Sequence, residues 1–181
     1  MLKHHFHQHS INIKSHSLLL FFLFLSLLII NGCSTQRTIN VPAHAISYQH
    51  DSSNFVVENR GLNWGNAGSS ASVTVAKPSD YNGGPITFRI FFQAVYDEPG
   101  TVQFIVTPVA FNSGNSFETY GSFAAPELAV PGDPSLLFEQ SIQITSGNGW
   151  NETSDWWYLG INRQGSLAGN IRVMGIALDY N

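Results

Sequence analysis

The sequence predicts an all-β protein: an antiparallel sandwich of two sheets, jelly-roll-like in type, that follows a cleaved signal peptide. After residue 32, all eight prolines and fifteen of the sixteen glycines interrupt the chain at short intervals. This spacing is too close for long helices and is typical of short strands joined by loops. Between these interruptions, apolar and polar residues alternate, which is the period of a strand with one buried face.

The first 32 residues have the composition of an export signal. From Leu18 to Ile30 the chain reads LLLFFLFLSLLII, thirteen residues without a charge. As a helix this run would span roughly 20 Å, which is short of the about 30 Å hydrocarbon core that a permanent transmembrane helix crosses. Lys3 and Lys14 precede it and no carboxylate does. We therefore expect the segment to direct export and then to be removed.

The end of the leader, IINGC, resembles the signal of bacterial lipoproteins. In that signal an aliphatic residue, a small or neutral residue, and Gly or Ala precede a cysteine. Ile30, Asn31 and Gly32 hold these positions before Cys33, the only cysteine of the chain. The resemblance implies cleavage before Cys33 and acylation of its sulfur, with palmitate among the expected acyl groups, so that the lipid holds the protein to a membrane. An ordinary secretory signal with an incidental cysteine is the alternative.

Ser34 follows the cysteine. In a diderm bacterium the resemblance then implies sorting to the outer membrane, so we expect a lipid-anchored protein of the cell envelope. Removing the leader leaves 149 residues, enough for one domain. We assign residues 33–41 to the lipidated cysteine and a polar, mobile tether, and residues 42–181 to the β-sandwich. Six Lys and Arg minus twelve Asp and Glu leave the mature chain at −6, which argues against nucleic acid as a partner.

Strands are predicted in order along the mature chain. The first three, at 45–48, 54–59 and 71–76, are short and bounded by turn residues. The clearest strand begins at Ile86, where the apolar residues of PITFRIFFQA share one face. In the next, TVQFIVTPVAF, the apolar alternation reaches Pro108, which has no N–H to donate. We therefore expect this strand to be at an edge, bulged, or finished there.

Three further strands are predicted at 136–144, 156–162 and 170–180. The last of them, NIRVMGIALDY, is apolar on both faces, which indicates a central position in a packed sheet. Residues 112–134 are the least regular part of the chain. A loop of this length in a small domain is either partly structured or functional.

The closing segment, YLGINRQGSLAGNIRVMGIALDY, is similar to the final hairpin of small β-sandwich proteins encoded in phages and prophages. The residues that carry the likeness are Ile161, Arg163, Gly169, Ile171, Val173, Gly175 and Tyr180. Most of those proteins have no certain role. The likeness therefore implies a fold and not an activity.

The mature chain has few groups suited to catalysis. Its two histidines are His44, which we expect to be solvated, and His50, which lies in HDSSN. Members of a catalytic triad usually converge from separate segments, so we interpret HDSSN as a turn. The scattered aspartates lack the spacing of a calcium loop, and two distant histidines do not form a zinc site. We predict no catalytic residue, metal or cofactor; a structural calcium ion held by several loops is left open.

Aromatic residues are concentrated in GNGWNETSDWWY. In a strand, Trp156 and Tyr158 face one side and Trp157 the other, so one side must be exposed or covered by a loop. Trp150 lies in a Gly and Asn loop and is expected to be the most exposed. Exposed rings beside Asn, Asp and Glu suit sugars, so Trp150, Trp156 and Tyr158 are candidate ligand-binding residues. Core packing is the alternative for these rings.

Three hypotheses about function follow. The first is a non-catalytic, lipid-anchored envelope protein that acts by interaction or in a structural role, with the membrane and an envelope protein or glycan as partners. The second is a carbohydrate-binding module that uses the exposed aromatic residues. The third, an enzyme, has the least support in the sequence.

Overall fold

The computed structural model describes residues 35–48, 55–58, 60–65, 68–111, 114, 121–146, 150 and 154–181. The predicted signal peptide, Cys33 and the HDSSN segment with His50 lie outside these residues. In the part that the structure describes, no helix is long and apolar enough to cross a membrane. The compact unit that contains the strands spans Gln36–Asn181.

Within the described ranges the chain forms twelve strands and one short 3₁₀ turn, Ala43–Ala45. The strands are β1 Arg37–Pro42, β2 Ser47–Tyr48, β3 Phe55–Glu58, β4 Gly61–Trp64, β5 Ser70–Ala76, β6 Ile86–Ala94, β7 Gly100–Phe111, β8 Phe123–Ala124, β9 Leu128–Val130, β10 Phe138–Ile144, β11 Trp156–Gln164 and β12 Ile171–Tyr180.

The strands form two antiparallel sheets. Sheet A has the order β10-β6-β12-β4-β3, and β1 also pairs with β12. Sheet B has the order β2-β5-β11-β7-β8, and β9 also pairs with β7. The predicted all-β, two-sheet antiparallel sandwich is confirmed. The two-faced apolar strand β12 is central as expected, because β6 pairs with one edge and β1 and β4 with the other.

The inward faces of the two sheets form one hydrophobic core. On β6 every second residue is buried, beginning with Ile86 and Phe88, and on β7 Val102 and Phe104 are fully buried. Because side chains alternate across a strand, the intervening residues face outward. The core therefore lies between the sheets, and each sheet keeps one outer face.

The prediction of a mobile tether is wrong for residues 37–41, which form a strand together with Pro42. These six residues form β1 and pair in antiparallel register with β12, from Arg37 opposite Tyr180 to Pro42 opposite Gly175. Within β1, Val41 is buried and Ile39 packs against the core. This alternation is short and stands among polar residues, so it is weak evidence for a strand until β12 supplies a partner.

The strand that contains Pro108 does not finish there. β7 continues to Phe111, and Pro108 pairs opposite Leu159 of β11. On its other edge, β7 pairs with β8 only at Ile105 and Val106. Among the described residues, β8 does not extend as far as Pro108. The proline therefore lies at an edge of β7 where no N–H is needed for pairing, which is one of the three alternatives that the sequence left open. The predicted loop at 112–134 is partly structured, since it contains β8 and β9.

Gln140 of β10 connects the two sheets. Its buried side chain donates from Nε2 to the carbonyl oxygens of Val102, at 2.7 Å, and Pro126, at 3.1 Å. Its Oε1 accepts the N–H of Phe104 at 3.0 Å. Pro126 lies between β8 and β9, where β7 loses its paired strand. The amide of Gln140 therefore satisfies backbone groups that would otherwise be buried without partners.

A buried guanidinium closes one end of the sandwich. NH1 of Arg163 donates to the carbonyl oxygens of Trp64, at 3.1 Å, and Gly65, while NH2 donates to those of Leu167, at 2.8 Å, and Gly169, at 2.7 Å. The first two carbonyls lie at the end of β4, and the other two in the connection between β11 and β12. Burial lowers the pKa of Arg163 to about 10. The side chain stays charged at neutral pH.

We expect Arg163→Met to destabilise the protein strongly, because four backbone carbonyls lose their donors and an unsatisfied buried group costs about 1–3 kcal/mol. The free energy of unfolding should fall by at least about 3 kcal/mol in urea denaturation. Arg163→Lys should recover only part of the loss, since an ammonium lacks the planar fork of the guanidinium. The exposed Arg60→Met is the control. A loss below about 1 kcal/mol for Arg163→Met would contradict this role.

Candidate ligand-binding surface

The outer face of sheet B carries the most exposed tryptophan of the described residues. On β11 the outward side chains are Trp156 and Tyr158, whereas Trp157 and Leu159 point into the core. Trp156 is 45% exposed and Trp157 is fully buried, and Tyr158 is partly exposed. The two candidate residues therefore share the outer face, as the alternation predicts. Their part in binding stays a prediction.

Trp150, expected to be the most exposed, is only 3% exposed. Its ring packs against that of Trp157, with 5.5 Å between the ring centroids, and Trp157 packs edge to face against Tyr81 at 4.9 Å. Large aromatic rings bury roughly 150–250 Å² each, so a tryptophan that reaches the core gains much by packing there. The structure thus separates Trp150 from the other two candidates.

The neighbouring strands extend the aromatic area around Trp156. Antiparallel pairing places Phe111 of β7 and Ala76 of β5 on either side of Trp156. In the same way Val109 of β7 flanks Tyr158, but Val109 is buried and adds no exposed area. Phe111 is partly exposed. The sequence interpretation missed it because Pro108 suggested an end to the strand, although the alternation of Thr107, Val109 and Phe111 continues past the proline.

Hydroxyl and amide groups occupy the other half of the same face. Ser70 donates its hydroxyl to Oδ1 of Asn162 at 2.5 Å, which links β5 to β11. The hydroxyls of Thr107 and Ser122 lie 2.9 Å apart in a hydrogen bond. Among the described residues of β5, β7 and β11, no Lys, Arg, Asp or Glu points outward from this face. We call the outward residues of these three strands the sheet B surface. These residues are aromatic at one end, polar at the other, and themselves uncharged, although Thr101 at the polar end donates its hydroxyl to the carboxylate of Glu127.

The outer face of sheet A differs because it is charged. A depression of about 450 Å³ is lined by Arg89 and Asp179 with polar neighbours. Nε of Arg89 lies 2.8 Å from Oδ2 of Asp179, and Thr38 donates to Oδ1 of the same carboxylate at 2.6 Å. Burial would raise the pKa of Asp179, but these hydrogen bonds and the charge of Arg89 hold it below its ordinary value. These groups satisfy one another and tie together β1, β6 and β12.

Two shallow apolar grooves border Met174, one of about 340 Å³ beside Val57 and one of about 360 Å³ beside Phe91 and Leu137. Met174 projects at the point where the pairing of β12 with β6 shifts register. His44 lines the first groove and is exposed. In the described part of the chain, no three His, Cys, Asp or Glu side chains come together as a metal site would require.

Comparison with known proteins shows similarity of fold. The chain matches no family model and no curated protein. Among solved structures it resembles the xylan-binding module CBM15, with a TM-score of 0.50 and 12% identity over 80% of this chain and 97% of that one. It also resembles the CBM36-1 domain of a multidomain xylanase from the hindgut metagenome of Trinervitermes trinervoides, with a TM-score of 0.48 and 14% identity over 80% and 98%. At such identities the likeness shows the fold alone.

Tryptophan fluorescence can test the exposure of Trp156. We expect iodide to quench a fraction of the emission of the full-length protein, and Trp156→Phe to remove that fraction, since Trp64, Trp150 and Trp157 are buried. As a surface change, Trp156→Phe should alter the free energy of unfolding by no more than about 0.5 kcal/mol. Trp157→Phe is the matched control: it should keep the quenchable fraction but lower stability. A quenchable fraction that survives in Trp156→Phe would contradict the assigned surface.

Proposed function

We propose that this protein is a non-catalytic carbohydrate-binding protein and that the sheet B surface is its binding site. The observation that carries the proposal is the pair formed by the half-exposed Trp156 and its neighbour Tyr158, with hydroxyl and amide groups further along the same face. An uncharged surface of this composition matches the two chemical features of a sugar. The C–H faces of a pyranose pack on aromatic rings, and its hydroxyls exchange hydrogen bonds with amides and hydroxyls.

The position of the two rings supports this choice. A lone exposed apolar residue is ordinary in a soluble protein. Here, however, the pleat places Trp156 and Tyr158 side by side, and pairing with β7 adds the partly exposed Phe111 on the same face. An extended apolar area next to fixed polar groups is typical of a ligand site.

Of the hypotheses that the sequence left open, the carbohydrate-binding one has the better support. The similarity of fold to a xylan-binding module favours this hypothesis over a purely structural role. Because that similar structure is named as a binding module, it also favours binding over catalysis. A fold hosts many functions, however, so the weight of the proposal rests on the surface itself. The similarity serves mainly to place xylan first among the glycans to be tested.

We further propose that the protein is a lipoprotein anchored through Cys33 in the cell envelope, in the outer membrane if the cell is diderm. The support is the leader sequence and its resemblance to bacterial lipoprotein signals. Only Ser34, Thr35 and Gln36 separate Cys33 from β1. A lipid on Cys33 would therefore hold the domain close to a membrane, where the glycans of the envelope or of the cell exterior are within reach.

Glycan binding can be tested by calorimetry with the full-length protein in detergent and a panel of xylan, β-glucan, β-1,4-galactan and solubilised peptidoglycan. We expect wild type to bind at least one of these glycans. Trp156→Ala and Tyr158→Ala should each weaken that binding about tenfold or more, as expected for central aromatic contacts worth about 1.4 kcal/mol or more.

Tyr96→Ala is the matched control, because Tyr96 is 53% exposed but lies in the turn after β6, outside the sheet B surface. It should bind as wild type does. Failure of the wild type to bind any glycan of the panel would refute the proposal. Equal affinity of wild type and Trp156→Ala would refute the assigned surface.

Lipid anchoring predicts that cells fed a palmitate analogue label the wild-type protein, and that the label fractionates with membranes. Cys33→Ser should abolish labelling and release the protein from the membrane fraction or leave its leader uncleaved, because no thiol is left to acylate. Ser34→Ala should still be labelled. An unlabelled wild-type protein with an intact leader in the soluble fraction would contradict the anchor.

A further inference from the structure

Gly160 lies in the middle of β11 and faces outward on the sheet B surface. A glycine inside a strand weakens it, because the residue gains no packing and loses more conformational freedom on folding than any other. Such a glycine is retained for a bulge, for a tight approach of another backbone, or for a ligand. These reasons can be distinguished from the geometry around the position.

The fold itself does not require a glycine at 160. Its φ is not positive, unlike that of seven other described glycines, among them Gly61 and Gly132. A Cβ built on Gly160 would lie 3.5 Å from the carbonyl oxygen of Thr107 and 3.5 Å from Cε1 of Tyr158, which are ordinary contact distances. At Gly100, by contrast, a Cβ would lie 2.6 Å from Cα of Leu167 and could not be accommodated.

The surroundings of Gly160 combine an aromatic ring with hydroxyl groups. The ring of Tyr158 lies beside Gly160, since its Cε1 is 3.5 Å from the position that a Cβ would take. Across the sheet it pairs with Thr107 on β7 and Ser72 on β5. The hydroxyl of Thr107 is positioned by Ser122 at 2.9 Å. Gly160 thus stands, without a side chain, between the aromatic end and the polar end of the surface.

We propose that Gly160 determines which glycan fits, because its missing side chain leaves a notch into which one edge of a pyranose ring enters. A sugar packed on the ring of Tyr158 would then touch the backbone of Gly160 and bring its hydroxyls within reach of Thr107 and Ser72. This inference rests on the proposed function. It adds to that function one specific contact, between the sugar and the backbone of Gly160, which has no side chain of its own to offer.

Gly160→Ala is the decisive variant, because alanine fits the free protein and restricts the unfolded chain. We expect the melting temperature to stay the same or to rise, while the affinity for the glycan of the above panel that wild type binds falls tenfold or more. Gly160→Val should lower the affinity further. Gly175→Ala is the control for a strand glycine outside the surface: it belongs to sheet A, and its Cβ would lie 3.2 Å from the carbonyl oxygen of Val41, a tighter contact than at Gly160. It should keep the wild-type affinity.

The outcomes separate this inference from the proposed function. Wild type that binds no glycan of the panel overturns both. If Trp156→Ala weakens binding but Gly160→Ala binds as wild type does, the surface stands and the notch is refuted. A Gly160→Ala variant whose melting temperature falls together with its affinity also refutes the notch, since the glycine then serves the fold.

Discussion

The sandwich depends on one buried charge at the junction of its two sheets. Arg163 is the last inward residue of β11 in sheet B, and its guanidinium holds carbonyls from the end of β4 and from the connection that leads into β12 of sheet A. Removing a cation from water costs desolvation free energy. Among the described residues, the groups that offset this cost for Arg163 are backbone carbonyl oxygens. Because these carbonyls come from segments far apart in sequence, the interaction forms only when both sheets have reached their final positions.

Beyond Arg163, the pleat of β11 determines which of its side chains face the core and which face solvent. The same alternation that sends Trp157, Leu159 and Ile161 into the core presents Trp156 and Tyr158 to solvent. A slip of one residue would reverse both sets and expose the core. Structure and proposed function are therefore coupled through the register of β11 with β5 and β7. The sheet B surface is rigid because its strands are the same ones that cover the core.

The two outer faces suit different purposes. On sheet A, Arg89, Asp179 and Thr38 satisfy one another and stabilise the pairing of β1, β6 and β12. On sheet B, hydroxyl pairs such as Thr107 with Ser122 hold polar groups in place without charge, next to partly exposed rings. The outward residues of β5, β7 and β11 are themselves uncharged, which is the property on which the proposal of a neutral, polyhydroxylated ligand rests. A lipid at Cys33 would keep such a surface among the glycans of the envelope.

The sequence by itself determined the fold class, the alternation within β6, β7 and β11, and the central position of β12, because a strand's period and the apolar character of its faces are local properties. It did not determine that Arg37–Pro42 is a strand, because a short and mainly polar segment becomes one only when β12 offers it a partner. Nor did it determine that Trp150 is buried or that Phe111 joins Trp156, since loop paths and pairing past Pro108 depend on contacts between distant segments. Which face of β11 is covered was decided by the packing of one sheet against the other.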